Sequence, residues 1–202
     1  MPLHPVDTEG QQLPQAPLPE AITIEPYITQ ADLDQRVKAM ADEINVAYAH
    51  IKAPKRLVVI AILKGSVFFL TDLVRQINMP CQLEMIRLAS YHGGTQSSGQ
   101  VRAVDLTLPN LTGADVLVVE DIVDTGLTLT FFADYLKSLH HINSLKLAVL
   151  LDKPAARLPE AKLNLDFVGF VIDQVFVVGY GLDYDGLYRN LPYIGQVSFD
   201  QA

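Results

Sequence analysis

The chain is predicted to be an α/β protein built on a doubly wound, mainly parallel sheet, and three observations carry that expectation. The runs Leu57 to Leu63 and Val116 to Val119 are apolar at every position and rich in β-branched residues, as strands covered on both faces must be. Segments with apolar residues at helical spacing separate such runs, so strand and helix alternate along the chain. Polar turns follow both runs, at the carboxyl ends of strands where open α/β sheets bind ligands.

The start of the chain stands apart. Pro2, Pro5, Pro14, Pro17 and Pro19, mixed with Gln and acidic residues, cannot sustain a helix or a sheet interior, so residues 1–21 read as a disordered extension to one domain spanning 22–202. Thr29 with Asp32 resembles a capping box, and Leu33, Val37, Met40, Ile44, Ala47 and Ile51 form one apolar helical stripe that Pro54 closes. After the strand at 57–63 the pattern predicts a helix over about 66–77, a strand over about 82–89, a polar loop, and a strand over about 101–107. The strand at 116–119 leads into a helix marked by Leu127, Leu129, Phe131, Phe132, Tyr135, Leu136 and Leu139. Strands over about 145–151, 167–171 and 175–178 complete the reading.

Composition fits a soluble enzyme. The 202 residues suit one domain, the 50% hydrophobic content is enough for a core, and no apolar run reaches membrane-spanning length. A net charge of −8 argues against a general nucleic-acid surface. Lone Cys81 excludes an intramolecular disulfide framework, and the absence of a secretory pattern points to the cytoplasm. The five histidines have no metal-ligand spacing.

Residues 116–128 carry the chemistry. The apolar strand runs into Glu120, Asp121 and Asp124, then Thr125, Gly126 and Thr128, immediately before a helix. Free amides at that helix start, the hydroxyls of Thr125 and Thr128, and a glycine that admits close approach make an anion site, although no Walker A lysine motif is present. Adjacent acids at a separation of about 5 Å and an effective dielectric of about 20 repel by about 3 kcal/mol, which a cation or sugar hydroxyls would relieve. The blander alternative is an acidic loop in which Asp124 merely caps the helix. A second strand end, Leu63-Lys64-Gly65-Ser66, offers amides to another anionic group beside the first. Together the two turns describe a ligand phosphorylated at both ends.

With these segments the chain resembles the phosphoribosyltransferases, and closely their 6-oxopurine branch of bacterial type. The matching segments are Leu63-Lys64-Gly65-Ser66, Ser90-Tyr91, Glu120-Asp121-Ile122-Val123-Asp124-Thr125-Gly126, Leu150-Leu151-Asp152-Lys153-Pro154, and Phe176 through Tyr184, within residues 22–198. The resemblance implies a type I phosphoribosyltransferase fold: a mainly parallel twisted sheet flanked by helices, a small hood subdomain and a flexible lid loop. It also implies transfer of a 5-phosphoribosyl group from phosphoribosyl pyrophosphate to N9 of hypoxanthine or guanine.

The resemblance also implies roles. Asp124, Thr125, Gly126, Leu127 and Thr128 would hold the 5-phosphate, while Glu120 and Asp121 would face the ribose hydroxyls and a magnesium ion (Mg2+). Lys64 and Gly65, in a turn that contains a non-proline cis peptide in this family, and Arg189 would take the pyrophosphate. Asp183 would reach a second magnesium through water and lie beside the base. Phe176 would stack on the purine, the Val177 backbone would meet its edge, and Lys153 would donate to the 6-oxo group, a contact mismatched with adenine's amino group. Asp124 would take or share the N7 proton as the catalytic group. Ser90 and Tyr91 would begin the lid, and a homodimer or homotetramer is the family's usual assembly.

Two departures stand out: Asp173-Gln174-Val175 where a Pro-Asp is usual, and Leu127 in place of a more polar residue. A xanthine-guanine or pyrimidine phosphoribosyltransferase would share residues 120–128 but lack the Lys153 and Phe176-Val177 pair. A non-catalytic RNA-binding regulator on the same fold would show strongly salt-dependent RNA binding, against which the acidic balance argues.

Overall fold

The computed structural model of the protein describes residues 22–51, 55–90, 101–105, 107–139 and 141–199. The proline-rich segment 1–21 and most of the expected lid, including Tyr91, lie outside the described residues. In chain order the elements are β1 (Ile22–Ile28), α1 (Gln30–Ala47), β2 (Leu57–Leu63), α2 (Val67–Val74), β3 (Cys81–Ser90), β4 (Val101–Asp105), β5 (Asp115–Val123) and α3 (Leu127–Leu139). Then follow β6 (Ser144–Asp152), a 3-10 turn (Pro154–Ala156), β7 (Phe167–Val171), β8 (Val177–Val178) and β9 (Ile194–Phe199).

The main sheet has the order β4-β3-β2-β5-β6-β7. Its pairs are parallel except β3 with β4, which joins antiparallel at one edge. From β2 the chain winds outward to β3 on one side and returns to β5 on the other, so the strand order reverses between β2 and β5. A crevice opens at that switch point, and both ligand turns expected from the sequence end strands that flank it.

Alternation along the central strands divides the core into two layers. Leu57, Val59 and Ala61 of β2, with Leu117 and Val119 of β5, pack against the α1 stripe and against Phe69, Leu70 and Leu73 of α2. The intervening residues Val58, Ile60, Val116 and Val118 face Leu129, Phe132 and Leu136 of α3. Helix α1 begins as its capping pattern requires, with the Asp32 amide donating to Thr29 Oγ1 at 3.2 Å. Arg36 on the same helix donates to the Val168 and Gly169 carbonyls at 2.6 and 3.0 Å, which ties α1 to β7.

A second, antiparallel sheet, β1-β9-β8, forms the hood. The sequence reading missed two of its strands for a physical reason. Pro26 and Glu25 interrupt β1, and a proline is tolerated there because β1 is an edge strand whose pairing with β9 shifts between Pro26 and Ile28. In β9, Gly195, Gln196 and Ser198 dilute the apolar signal. A further difference bears on chemistry: β5 extends to Val123, so Glu120 and Asp121 lie within the strand and not just past it.

Ile44 is fully buried on the α1 stripe. Ile44→Ala should therefore destabilise the protein by about 2–5 kcal/mol in denaturant unfolding, whereas the exposed Val46→Ala should change stability by less than about 0.5 kcal/mol.

Candidate active site

The crevice is shaped by where β2 ends. Its pairing with β5 stops at Ala61 opposite Val119, and beyond that point β5 continues with β6 alone, Glu120 opposite Val149 and Val123 opposite Asp152. Glu120 and Asp121 thus occupy the stretch of β5 that β2 has vacated. The turn that carries β2 away contains a cis peptide between Leu63 and Lys64, as the resemblance implies. Lys64 is exposed, Gly65 is buried, and Ser66 Oγ donates back to the Ile62 carbonyl at 2.5 Å. A Cβ on Gly65 would fall 1.5 Å from Asp121 Oδ2, so no other residue fits beside that carboxylate.

The two carboxylates are poorly compensated. Asp121 Oδ1 accepts from the Ile122 amide at 2.9 Å, but Glu120 Oε2 is buried without a partner. Burial lifts the Asp121 carboxyl to about 6, against the opposing pull of backbone amides and the Arg189 guanidinium. Burial, and then the neighbouring Asp121 charge, push Glu120 well above the usual carboxylate range. Two acids that resist ionisation in this crevice suit a bound cation or a vicinal diol. Among the described residues no group of three His, Cys, Asp or Glu could hold a metal by itself, so magnesium here would take its remaining oxygens from substrate and water.

The next turn is the one expected to cradle an anion. Gly126 adopts φ +79°, and its missing side chain leaves room for Arg157, whose Cδ would lie 2.7 Å from a Cβ there. The Leu127 amide reaches Thr125 Oγ1 at 3.5 Å, so Thr125, rather than Asp124, bonds the first helical amide. A cavity of about 170 Å³ is lined by Glu120, Ile122, Val123, Asp124, Thr125, Gly126, Thr128 and Leu129. Larger clefts occur elsewhere, one of about 460 Å³ between α1 and β7, but they lack a strand-end turn with free amides and flanking acids. The small cavity at the amino end of α3 has both.

Of the residues expected at the base, Lys153 reaches the turn at 124–128. Lys153, at the end of β6, is 8% exposed; its amide donates to the Val123 carbonyl at 3.0 Å and its Nζ lies 3.3 Å from Asp124 Oδ1. Phe176 is 44% exposed, and its ring meets Tyr184 edge to face with centroids 5.6 Å apart. Val177, buried in β8, pairs with Gln196. Arg189 Nη1 donates to the Gly181 carbonyl at 2.6 Å, and its Nη2 pairs with Asp183 Oδ1 at 2.6 Å. Asp183 Oδ2 accepts from the Gly186 amide at 2.8 Å, so both its oxygens are engaged within the hood. Ser90 closes β3, and Tyr91 lies outside the described residues.

Arg157 escaped the sequence reading. It pairs with Asp152, donates through Nε to the Asp124 carbonyl at 3.2 Å, and lays its chain beneath Gly126, thereby clamping the anion turn to the end of β6. An arginine four residues after Lys153 in an irregular segment carries no periodic signal.

The Asp121 shift sets a pH dependence. Its folded value of about 6 exceeds the unfolded value of about 3.9, so the folded state binds the proton more tightly and stability falls as pH rises through that window. Wild type should lose more thermal stability than Asp121→Asn between about pH 4 and pH 6 in magnesium-free buffer. Parallel profiles for the two proteins would contradict the assignment.

Comparison with known proteins agrees with this geometry. The phosphoribosyl transferase domain model matches residues 29–185. A hypoxanthine phosphoribosyltransferase of Buchnera aphidicola subsp. Schizaphis graminum is 41% identical over 177 residues, 88% of this chain and 97% of the relative. The chain also matches bifunctional TilS/HprT proteins of Listeria at 39% identity over 83% of its length, and it spans only 25% of those longer proteins. A crystal structure of a hypoxanthine phosphoribosyltransferase from Staphylococcus aureus superposes with a TM-score of 0.78 at 40% identity, covering 86% of this chain and 91% of that one. A hypoxanthine-guanine phosphoribosyltransferase from Bacillus anthracis gives 0.77 at 37% identity, covering 88% and 100%. The type I fold with its hood and its two adjacent strand-end turns places the chain in the phosphoribosyltransferase family, among the hypoxanthine phosphoribosyltransferases of bacterial type.

Proposed function

We propose that the protein, through residues 22–202, transfers the 5-phosphoribosyl group from phosphoribosyl pyrophosphate to N9 of hypoxanthine and of guanine, giving the nucleoside monophosphate and pyrophosphate in purine salvage. The observation that carries this reading is the meeting at one switch point of a strand-end turn that opens a helix, a second strand-end turn lying against Asp121, and a buried lysine 3.3 Å from Asp124. The names of the relatives point the same way.

Residues 124–128 hold the 5-phosphate with amides and hydroxyls, and Glu120 and Asp121 take the ribose hydroxyls. Lys64, Gly65 and Arg189 receive the pyrophosphate. Glu120 and Asp121 would hold a magnesium ion, which would supply positive charge to stabilise the departing pyrophosphate. The unpaired Glu120 oxygen and the raised Asp121 carboxyl fit such an ion, and Asp183 would hold a second one through water.

The Lys153–Asp124 pair suggests how base binding and proton transfer are linked. Without a base, the ammonium leans on Asp124 at 3.3 Å. A 6-oxo group over Phe176 and against the Val177 backbone gives the ammonium a second acceptor and loosens that pair. Asp124 is then available to take the N7 proton as the ribosyl carbon bonds to N9.

The protein acts on small molecules in the cytoplasm, and its net charge of −8 disfavours nucleic acid as a partner. No helix among the described residues is long and apolar enough to cross a membrane. Assembly as a homodimer or homotetramer is supported by Leu83 and Met85, 44% and 49% exposed on one face of β3, and by Phe68 at 42% on α2. Leu83→Lys with Met85→Lys should lower the sedimentation coefficient toward that of a monomer; an unchanged value would place the interface elsewhere.

Purified protein with magnesium and phosphoribosyl pyrophosphate should turn over hypoxanthine and guanine, but not adenine or uracil, and failure with both 6-oxopurines would overturn the reading. Asp124→Asn should lower kcat by about 10²–10⁴-fold while donor affinity stays near wild type. An unchanged kcat would remove Asp124 from proton transfer. Lys153→Ala should raise KM for the base selectively, and an equal loss for the donor would refute the base contact.

A further inference from the structure

The two jaws of the pyrophosphate site come from different sheets, so something must set the distance between them. Lys64 and Gly65 end β2 of the main sheet, whereas Arg189 belongs to the hood. The hood segment facing the β2 turn is Gly179 to Leu182, closed on itself by reciprocal bonds between Gly179 and Leu182 at 3.0 Å each. It is fastened to the Arg189 segment as well: the Tyr180 amide donates to the Leu191 carbonyl at 2.8 Å, the Gly181 amide to the Arg189 carbonyl at 3.0 Å, and Arg189 Nη1 to the Gly181 carbonyl at 2.6 Å. Where Tyr180 and Gly181 go, Arg189 follows.

These two residues also touch the main domain. A Cβ on Gly181, at φ +107°, would fall 1.9 Å from the Gly65 carbonyl oxygen, so the hood backbone rests on the pyrophosphate turn itself. Tyr180 is 8% exposed and holds φ +48°, a conformation a bulky residue keeps only when its surroundings impose it. Its hydroxyl donates to Asp72 Oδ2 at 2.6 Å, and its ring lies 6.4 Å from that of Phe68. Asp72 and Phe68 are both on α2, the helix that begins directly after Lys64-Gly65-Ser66.

We propose that the Tyr180–Asp72 hydrogen bond is a latch that positions Arg189 over the Lys64–Gly65 turn, making Tyr180 and Asp72 positioning residues for pyrophosphate recognition. The inference rests on the phosphoribosyl-transfer reading and adds two residues to it that touch no substrate. The geometry is specific: one end of the latch is rooted in the helix behind one jaw, and the other adjoins the carbonyl that holds the opposite jaw's guanidinium. A charged acceptor for a buried hydroxyl makes this bond stronger than a neutral one.

The test is a comparison of substrate constants. Tyr180→Phe keeps the ring and its packing and removes only the donor. It should raise KM for phosphoribosyl pyrophosphate and the Kd of pyrophosphate by about tenfold, the effect of losing one hydrogen bond to a charged group, while KM for hypoxanthine stays within about twofold. Asp72→Ala should reproduce that pattern, Asp72→Asn, whose amide oxygen still accepts, should largely restore the donor constants, and the Tyr180→Phe/Asp72→Ala pair should be no worse than either single change. Wild-type donor constants in Tyr180→Phe, equal damage from Asp72→Asn and Asp72→Ala, or a parallel rise in both substrates' KM would each overturn the latch while leaving the reaction assignment intact. A wild-type protein with no turnover of either 6-oxopurine would bring down the reaction assignment and the latch with it.

Discussion

The site depends on one close approach: the Gly65 backbone lies against the Asp121 carboxylate, where even a methyl group would collide. That contact exists because β2 turns away from β5 at the point where β5 becomes acidic. Before it, β5 is a buried apolar strand in the middle of the sheet; after it, the same strand presents Glu120 and Asp121 to a crevice. The hood then settles on the turn through Gly181 and brings Arg189 toward the same carboxylate. The turn after β2, the acidic end of β5 and the hood therefore share one point of contact.

This arrangement stores unfavourable electrostatics where substrate is handled. Two neighbouring carboxyls, one oxygen of which has no partner, are held in a place that disfavours their charge. The surrounding core tolerates it because the α1, α2 and α3 layers bury the central strands completely on both faces. Lys153 and Asp124 satisfy each other at 3.3 Å. Arg157 and Asp152 tie the turn at 124–128 to the end of β6.

How much of this was readable in the sequence follows from the range of each interaction. The α1 cap, the apolar β2 and β5 and the turns that end them are local patterns, and the structure places them as expected. Period-two and period-3.6 signals need only neighbouring residues. The hood strands β1 and β9 escaped because their partners are 170 or so residues apart and their compositions, with Pro26 and Gly195, weigh against strand. Arg157 and the Tyr180–Asp72 bond escaped for a related reason: each acts through a contact between irregular or distant segments. The acidic pair was recognised, but its place inside β5 needed the register with β6.

Burial holds the Glu120 and Asp121 carboxyls above the usual carboxylate range, so binding of the proposed magnesium and phosphoribosyl pyrophosphate complex should draw protons from them. Calorimetric binding of that donor complex in buffers of different ionisation enthalpy measures the protons exchanged. Wild type should release more protons at pH 6 than at pH 8, and more at pH 6 than the Glu120→Gln/Asp121→Asn variant under the same conditions. Equal proton exchange by the two proteins at pH 6 would contradict the claim.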